Sequence, residues 1–438
     1  MNILKISIFM LVFVLAVFSA EGQTKQHQLP AAPNYNLVWD TPSKNSSESM
    51  PCGGGDIGLN VWVEKGDVLF YIAQSGTFDE NNTQLKQGRV RIQLSPNPFE
   101  GGTFRQELNL NEGCVLISGK NGDLSADIRV WVDVFHPVVH VEVSGNRNLA
   151  ASIFYENWRY QDRLMRKGEG IQSSWRGALP EGVFTKKDEV AYEGNRILFY
   201  HRNEGETMFD ITAKQQSLES VKDQLFDPLK NLTFGGILEA KGFKPAGTST
   251  GTYQQTDYKA WKLESEKPLK QWNLNIQLHT EQTDNIAAWK TALNKPLAGD
   301  KKKNQAWWKA FQDRSFIRIT SRDGTDKGFE LSRNYALFRY MLACNAYGEY
   351  PTKFNGGLFT YDPSFIKEST PFTPDFRAWG GGTFTAQNQR LVYFPMLRSG
   401  DFDWMKPQLD FYKRILQTAE TRSKVYWGHG GACFTEQI

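Results

Sequence analysis

Apolar and polar residues alternate, or run apolar over strand lengths, through most of the first two thirds of this chain. Segments 61–64, 68–72, 89–94, 126–132 and 138–143 show the pattern, as do 196–200, 232–237 and 272–278. Successive side chains of a strand point to opposite faces, so this period of two predicts half-buried β-strands. Turn-forming clusters separate them, as at Asn121-Gly122 and at 144–146. Many short antiparallel strands between about 36 and 278 predict a large β-sandwich. No internal repeat or low-complexity tract interrupts it.

The period changes after Glu281. Segments 284–293 and 305–311 read as helical, broken at Lys295-Pro296. From 329 to 347, Leu331, Tyr335, Phe338 and Leu342 form one stripe of a 3.6-residue period. Further helices are predicted over 385–397 and over 404–418, the latter with Met405, Leu409, Tyr412 and Leu416 aligned. Pro407 is tolerable in a first turn. These stripes outnumber the partners available to bury them. The expected division is a signal segment at 1–22, a β-sandwich domain at 30–281, a helical linker at 282–324 and the start of a helical catalytic domain at 325–438. The chain is therefore expected to be the N-terminal part of a larger enzyme, active only when complete.

The first residues predict secretion. Lys5 precedes an apolar run over 6–18, and Ala20-Glu21-Gly22 supplies small residues for cleavage. That run is shorter than the roughly 20 residues of a membrane span. Release into the periplasm or the medium is expected, without membrane insertion after cleavage. The 51 basic and 48 acidic residues nearly cancel, which leaves no electrostatic case for nucleic acid. Lys301-Lys302-Lys303 reads as a solvated helix face. Cys52, Cys114, Cys344 and Cys433 are too scattered for a metal site and are expected as free thiols. His136 and His140 share one strand face without a third ligand, so they read as structural, and no metal or cofactor is expected. Thirteen Trp suit stacking on sugar faces, and they suit a large sandwich core equally.

Three segments carry candidate chemistry. Trp39-x-x-Pro42 and Pro51-Cys-Gly-Gly-Gly-Asp-Ile-Gly58 contain three successive glycines, read as a tight turn packed on a neighbouring domain. Pro374-Asp-Phe-Arg-Ala-Trp-Gly-Gly-Gly382 leads into a helix bearing Gln387, Asn388 and Arg390. Trp379 offers a planar face for a pyranose, and amides with a guanidinium can bond its hydroxyls; an ordinary glycine loop before a capped helix fits the same pattern. Last, Trp427, His429 and Glu436 stand among glycine and aromatic residues. Desolvation there would suit Glu436 to a general acid role, whereas a solvated carboxylate is the plain alternative.

These segments resemble glycoside hydrolase family 95. The opening is similar to that family's W-x-x-P…P-x-G-N-G-x-x-G pattern, and 306–317 is similar to its W-W-x-x-F-W-x-x-S. The stretch 335–358, with Asn355-Gly-Gly-Leu358, resembles the first barrel helix and the loop after it. From Trp379 to Pro395 the chain aligns without a gap on W-G-x-x-x-x-x-N-x-N-x-x-x-N-Y-W-P. Trp379, Gly380, Asn388, Tyr393 and Pro395 match; Phe394 replaces the last Trp, and Ala386 stands at the first water-positioning Asn. The resemblance implies a β-sandwich, a helical linker and an incomplete (α/α)6 barrel. It further implies inverting hydrolysis of α-L-fucosides or α-L-galactosides, with Glu436 as acid and Asn388 holding water. Trp379, Gln387, Arg390, Trp427, His429 and Asn355 would contact an oligosaccharide or polysaccharide. A glycoside phosphorylase on the same barrel, and a glycan-binding protein without turnover, are the alternatives.

Overall fold

β-Branched and aromatic residues at every second position commit this sequence to pleated strands, where such side chains pack on a half-buried surface. The computed structural model describes residues 33–297, 299–322 and 324–438, so the expected signal segment at 1–22 lies outside the described residues. In chain order the strands are β1 (Leu37–Trp39), β2 (Met50–Gly54), β3 (Ile57–Glu64), β4 (Asp67–Phe78), β5 (Gln84–Ser95), β6 (Thr103–Asn109), β7 (Cys114–Asn121) and β8 (Leu124–Val132). They continue as β9 (Val138–Asn157), β10 (Arg163–Leu164), β11 (Phe184–Thr185), β12 (Glu189–Glu193), β13 (Arg196–Arg202), β14 (Leu232–Ala240), β15 (Phe243–Tyr253), β16 (Thr256–Ser265) and β17 (Leu269–Gln282).

Every described pairing is antiparallel. One layer runs β1-β6-β7-β8-β9-β17-β14-β13-β12, and the other runs β2-β3-β4-β5-β9-β16-β15. β9 belongs to both. Its first half pairs with β8 as far as Gly145 and with β17 as far as Leu149, and its second half, from Ala150, pairs with β5 and β16. The predicted turn at 144–146 is therefore not a turn: the strand continues from one layer into the other. Val61, Phe70 and Ile92 of the second layer share a core with Ile117, Val130, Val141 and Ile276 of the first. Full burial of each such side chain is worth about 1.5–3 kcal/mol, which makes this core the chief stabiliser of the fold.

Seven α-helices are described: α1 (Met208–Gln215), α2 (Ile286–Leu293), α3 (Lys301–Arg314), α4 (Lys327–Ala343), α5 (Ala386–Ser399), α6 (Lys406–Arg414) and α7 (Leu416–Trp427). The alternation pattern missed α1 because it is short. Its signal was a capping box, in which the Asp210 carboxylate accepts the Thr207 N–H at 2.8 Å. α3 starts at Lys301 rather than 305, because the Asp300 carboxylate accepts the Lys303 N–H at 3.0 Å. Nor is its lysine run merely solvated: Lys301 reaches Glu142 at 2.6 Å, and Lys303 lies over the Phe135 ring.

The predicted helix stripes face the core only in part: Leu342 is buried, and Met405 and Tyr412 are partly buried against core clusters. In α4 the inward residues are Ser332, Ala336, Arg339, Tyr340 and Ala343, while Leu331 and Phe338 are exposed. Small residues let α4 lie against β2, where the Gly53 N–H donates to the Tyr340 hydroxyl at 3.3 Å. Arg339 is held inside by a bidentate pair with Asp401, at 2.9 and 2.8 Å. The predicted 404–418 helix is two helices, α6 and α7, parted at Ile415. There Phe411 and Ile415 turn inward, while Leu409 and Leu416 are exposed. The expected packing role of the glycine triplet is met: a Cβ on Gly53 would come within 2.9 Å of the Cys344 side chain. Cys52, Cys114, Cys344 and Cys433 are free, only Cys433 being exposed. His136 pairs with Asp133, and His140 stacks on Trp131. No described helix is long and apolar enough to cross a membrane.

Candidate functional site

The loop before α5 is fastened to the sandwich by a buried carboxylate. Asp375 accepts the Lys86 N–H of β5 at 2.7 Å, the Trp158 indole N–H at 2.6 Å and the Arg159 guanidinium at 2.8 Å. Arg159 also pairs with Asp188 at 2.7 Å, so one cation bridges two buried carboxylates. Burial would raise Asp188, yet Arg159 and His201 hold it at about 2. Burial would likewise lower His201, but Glu80 and the Asp188 hydrogen bond outweigh it and lift His201 to about 10. None of these residues stood out in the sequence, where a lone Asp or Arg carries no periodic signal.

Past this anchor the glycines thread between two turns of the sandwich. The Gly380, Gly381 and Gly382 N–H groups donate to the carbonyls of Ile171, Gln172 and Asn82. A Cβ on Gly381 would collide with the Gln84 backbone, so the glycine is needed for close approach. Trp379, just before, takes a left-handed backbone (φ +71°) and stands 62 % exposed. A bulky residue in that region is strained, and such strain is often kept at binding sites. The Asn355 amide donates to the Ala378 carbonyl at 2.5 Å and so braces Trp379 from below.

The last residues close onto the same place. Phe384 and Ile438 exchange backbone hydrogen bonds, and the Ala386 N–H donates to the Glu436 carbonyl at 2.9 Å. The Glu436 carboxylate accepts the Gln387 N–H at 3.0 Å and so caps the first turn of α5. Asn388 is the next residue. Arg176 ties the two sides together, donating to Thr383 Oγ1 at 2.8 Å and to Gln437 Oε1 at 2.7 Å. Glu436 is exposed, so the desolvation expected of it is not found. Gln387 and Arg390 are exposed beside it, with Arg390 Nε donating to the Gln387 carbonyl.

Two pairs of expected residues are in contact, Asn355 with the Trp379 segment and Gln387 with Glu436, with Asn388 next in the chain and Arg390 one turn on; Arg176, beside Gly380 and bonded to Gln437, links the two into one rim. Trp427 and His429 stack on each other at the end of α7, 6.3 Å between ring centres, and their described contacts are with Tyr426 and Gly430. An apolar cavity of about 150 Å³, which none of these residues lines, is bounded by Phe78, Tyr350, Phe384, Phe411 and Ile438 among others.

A second concavity, of about 260 Å³, lies at the β2–β3 turn. Burial, and less strongly Glu349, push Asp56 there up to about 7, against a hydrogen bond from Gln74.

Residues 38–317 match the family model described as Domain of unknown function (DUF5703), and the chain belongs to that family. No curated protein matches it. Among solved structures it is similar to a putative kojibiose phosphorylase from human microbiome, at 13 % identity and a TM-score of 0.49, covering 93 % of this chain and 52 % of that one. It is also similar to a bacterial glucoamylase complexed with acarbose, at 9 % identity and a TM-score of 0.38, covering 86 % and 53 %. A family GH92 inverting mannosidase from Bacteroides thetaiotaomicron follows, at 12 % identity and a TM-score of 0.29, covering 72 % and 36 %. The chain thus spans about half the length of the first two.

Proposed function

We propose that this chain is a secreted or periplasmic glycoside hydrolase that seats an α-linked sugar, an α-L-fucosyl or α-L-galactosyl residue of a complex glycan, on Trp379. The observation that carries the reading is the hydrogen bond from the Gln387 N–H to the Glu436 carboxylate. It holds the sole carboxylate of the closing segment one residue from Asn388. In this reading Glu436 protonates the leaving oxygen once bound sugar has excluded water from it. Asn388 helps hold the attacking water on the opposite ring face, with a base carboxylate that inversion sets about 6.5–9.5 Å from the acid. Gln387, Arg390 and Asn355 bond or brace the sugar, and Trp427 with His429 forms an outer wall. Helices α4 to α7 are read as part of an (α/α)6 barrel, in which the exposed Leu331, Leu391 and Leu409 would pack on further helices.

A second reading, glycan binding without turnover, is favoured by Ala386, which has no amide to position water, and by the exposure of Glu436. The test is to incubate the full-length protein with α-fucosyl and α-galactosyl oligosaccharides and follow the anomeric form of released sugar by NMR. Inverted product supports hydrolysis. Retention on a glycan array without release selects the binding reading, and neither release nor retention sinks both.

A further inference from the structure

Around Thr383 three cations gather without a counter-ion. Lys353 donates to the Thr383 carbonyl, and Arg176 donates to the Thr383 hydroxyl. Arg377, two residues before Trp379, donates only to the carbonyls of Asn355 and Gly357, at 2.8 and 2.7 Å. Its Nε is buried without a hydrogen-bond partner. Among the described residues, none of the three has a carboxylate within 4.0 Å. The nearby Asp375 is taken by Arg159, and the Glu436 carboxylate is turned to the Gln387 N–H.

Uncompensated charge at such depth is costly, because a buried cation loses its hydration and here regains only neutral carbonyl and hydroxyl partners. Lys353 and Arg377 are 4 % and 6 % exposed, whereas Arg176 reaches the surface. Burial, then Arg377 and Arg176, press Lys353 down to about 6, and burial presses Arg377 down to about 10. No acidic group opposes either shift. Elsewhere the fold pairs its buried arginines, Arg89 with Glu156, Arg159 with two aspartates and Arg339 with Asp401. Lys86, the other buried cation without a carboxylate within 4.0 Å among the described residues, lies close enough to Arg377 to be pressed down by it after burial. The Thr383 cluster departs from that habit at the very loop that carries Trp379.

We propose that Arg176, Lys353 and Arg377 form a receptor for an oxyanion, borne by an acidic sugar or supplied as free phosphate, beside the sugar seat at Trp379. The inference rests on the sugar-binding reading of that rim and adds the charge of what binds there. The anion exchanges the neutral acceptors at Thr383 and Gln437 for its own oxygens, entering past Arg176. Planar guanidinium forks suit bidentate contact with carboxylate or phosphate, and the lysine adds a point charge when the arriving anion draws a proton onto it.

The test is calorimetric titration of the full-length protein, at fixed ionic strength, with inorganic phosphate, glucuronate and uncharged glucose. Saturable binding of either anion, weakened at least tenfold in both Lys353→Met and Arg176→Gln, is expected. Tighter phosphate assigns free phosphate as the partner, and tighter glucuronate assigns an acidic sugar. No saturable anion binding, or binding unchanged in both variants, overturns the proposal. Lys353→Met is expected to melt no lower than the parent, so its loss of binding would not reflect misfolding. Neutral glycans retained without anion binding would remove this inference and leave the sugar reading. Anion binding with no glycan recognised would do the reverse.

Discussion

The Glu436 carboxylate sits 3.0 Å from the Gln387 backbone nitrogen, so one side chain both caps α5 and stands beside Asn388. These two roles separate on substitution. Glu436→Gln keeps an acceptor for the cap but has no proton to deliver as an acid. Release of sugars with poor leaving groups is expected to fall about 10²–10⁴-fold, with activated aryl glycosides largely spared. Capping by an uncharged amide should cost no more than about 1 kcal/mol of stability. Steady-state rates on both substrate types check this, and equal losses on the two would rule out the acid role.

Trp379 pairs strain with exposure. Trp379→Gly frees the left-handed backbone, so stability should hold or rise by about 1 kcal/mol. Glycan affinity should drop at least tenfold. A thermal melt beside a glycan-binding titration gives both values, and a destabilised variant would show that the indole is structural.

Asp375 answers Arg159 in the interior. Asp375→Ala leaves that guanidinium with Asp188 as its one carboxylate and removes the acceptor of the Lys86, Trp158, Arg159 and Thr373 donors, for a loss of about 3–5 kcal/mol. Urea unfolding measures it; a loss below about 1 kcal/mol would mean the loop is anchored elsewhere.

His201 and Lys353 give opposite pH signatures. His201 is raised to about 10, so its contribution is full below about 6.5 and is lost as pH rises through 10. The stability gap between parent and His201→Gln should therefore shrink from pH 6.5 to 10. Lys353 is lowered to about 6, so its burial costs most below that pH and progressively less towards 10. Lys353→Met should accordingly gain most at acid pH. Melting temperatures across pH 5.5–10, read as differences from the parent, test both signs.

The strands were legible because alternation is a local signal: β3, β4, β5, β8, β13, β14 and β17 all contain the expected segments. β9 was read short, because a Gly-Asn pair looks like a turn unless the strand can change partners at that point. The helices after Glu281 were found, but their inner faces only in part, Leu342 being buried while Leu331 and Phe338 are exposed. Tyr340 and Arg339 of α4 turn inward because Gly53 and Asp401 receive them, and neither partner is near in sequence. The same limit applied at the rim. Trp379, Asn388 and Glu436 were visible as residue types in a pattern, whereas Arg176, Lys353 and Arg377 become a group only where the chain folds back on Thr383.

The strand shared by both layers has a mechanical consequence. Twenty residues of β9 thread the two sheets on a single backbone, so neither can peel away without tearing ladders in the other. Force applied across the molecule should therefore meet one tall rupture event instead of two smaller ones, and a proteolytic nick near Gly145 would uncouple what the intact chain makes a single cooperative body.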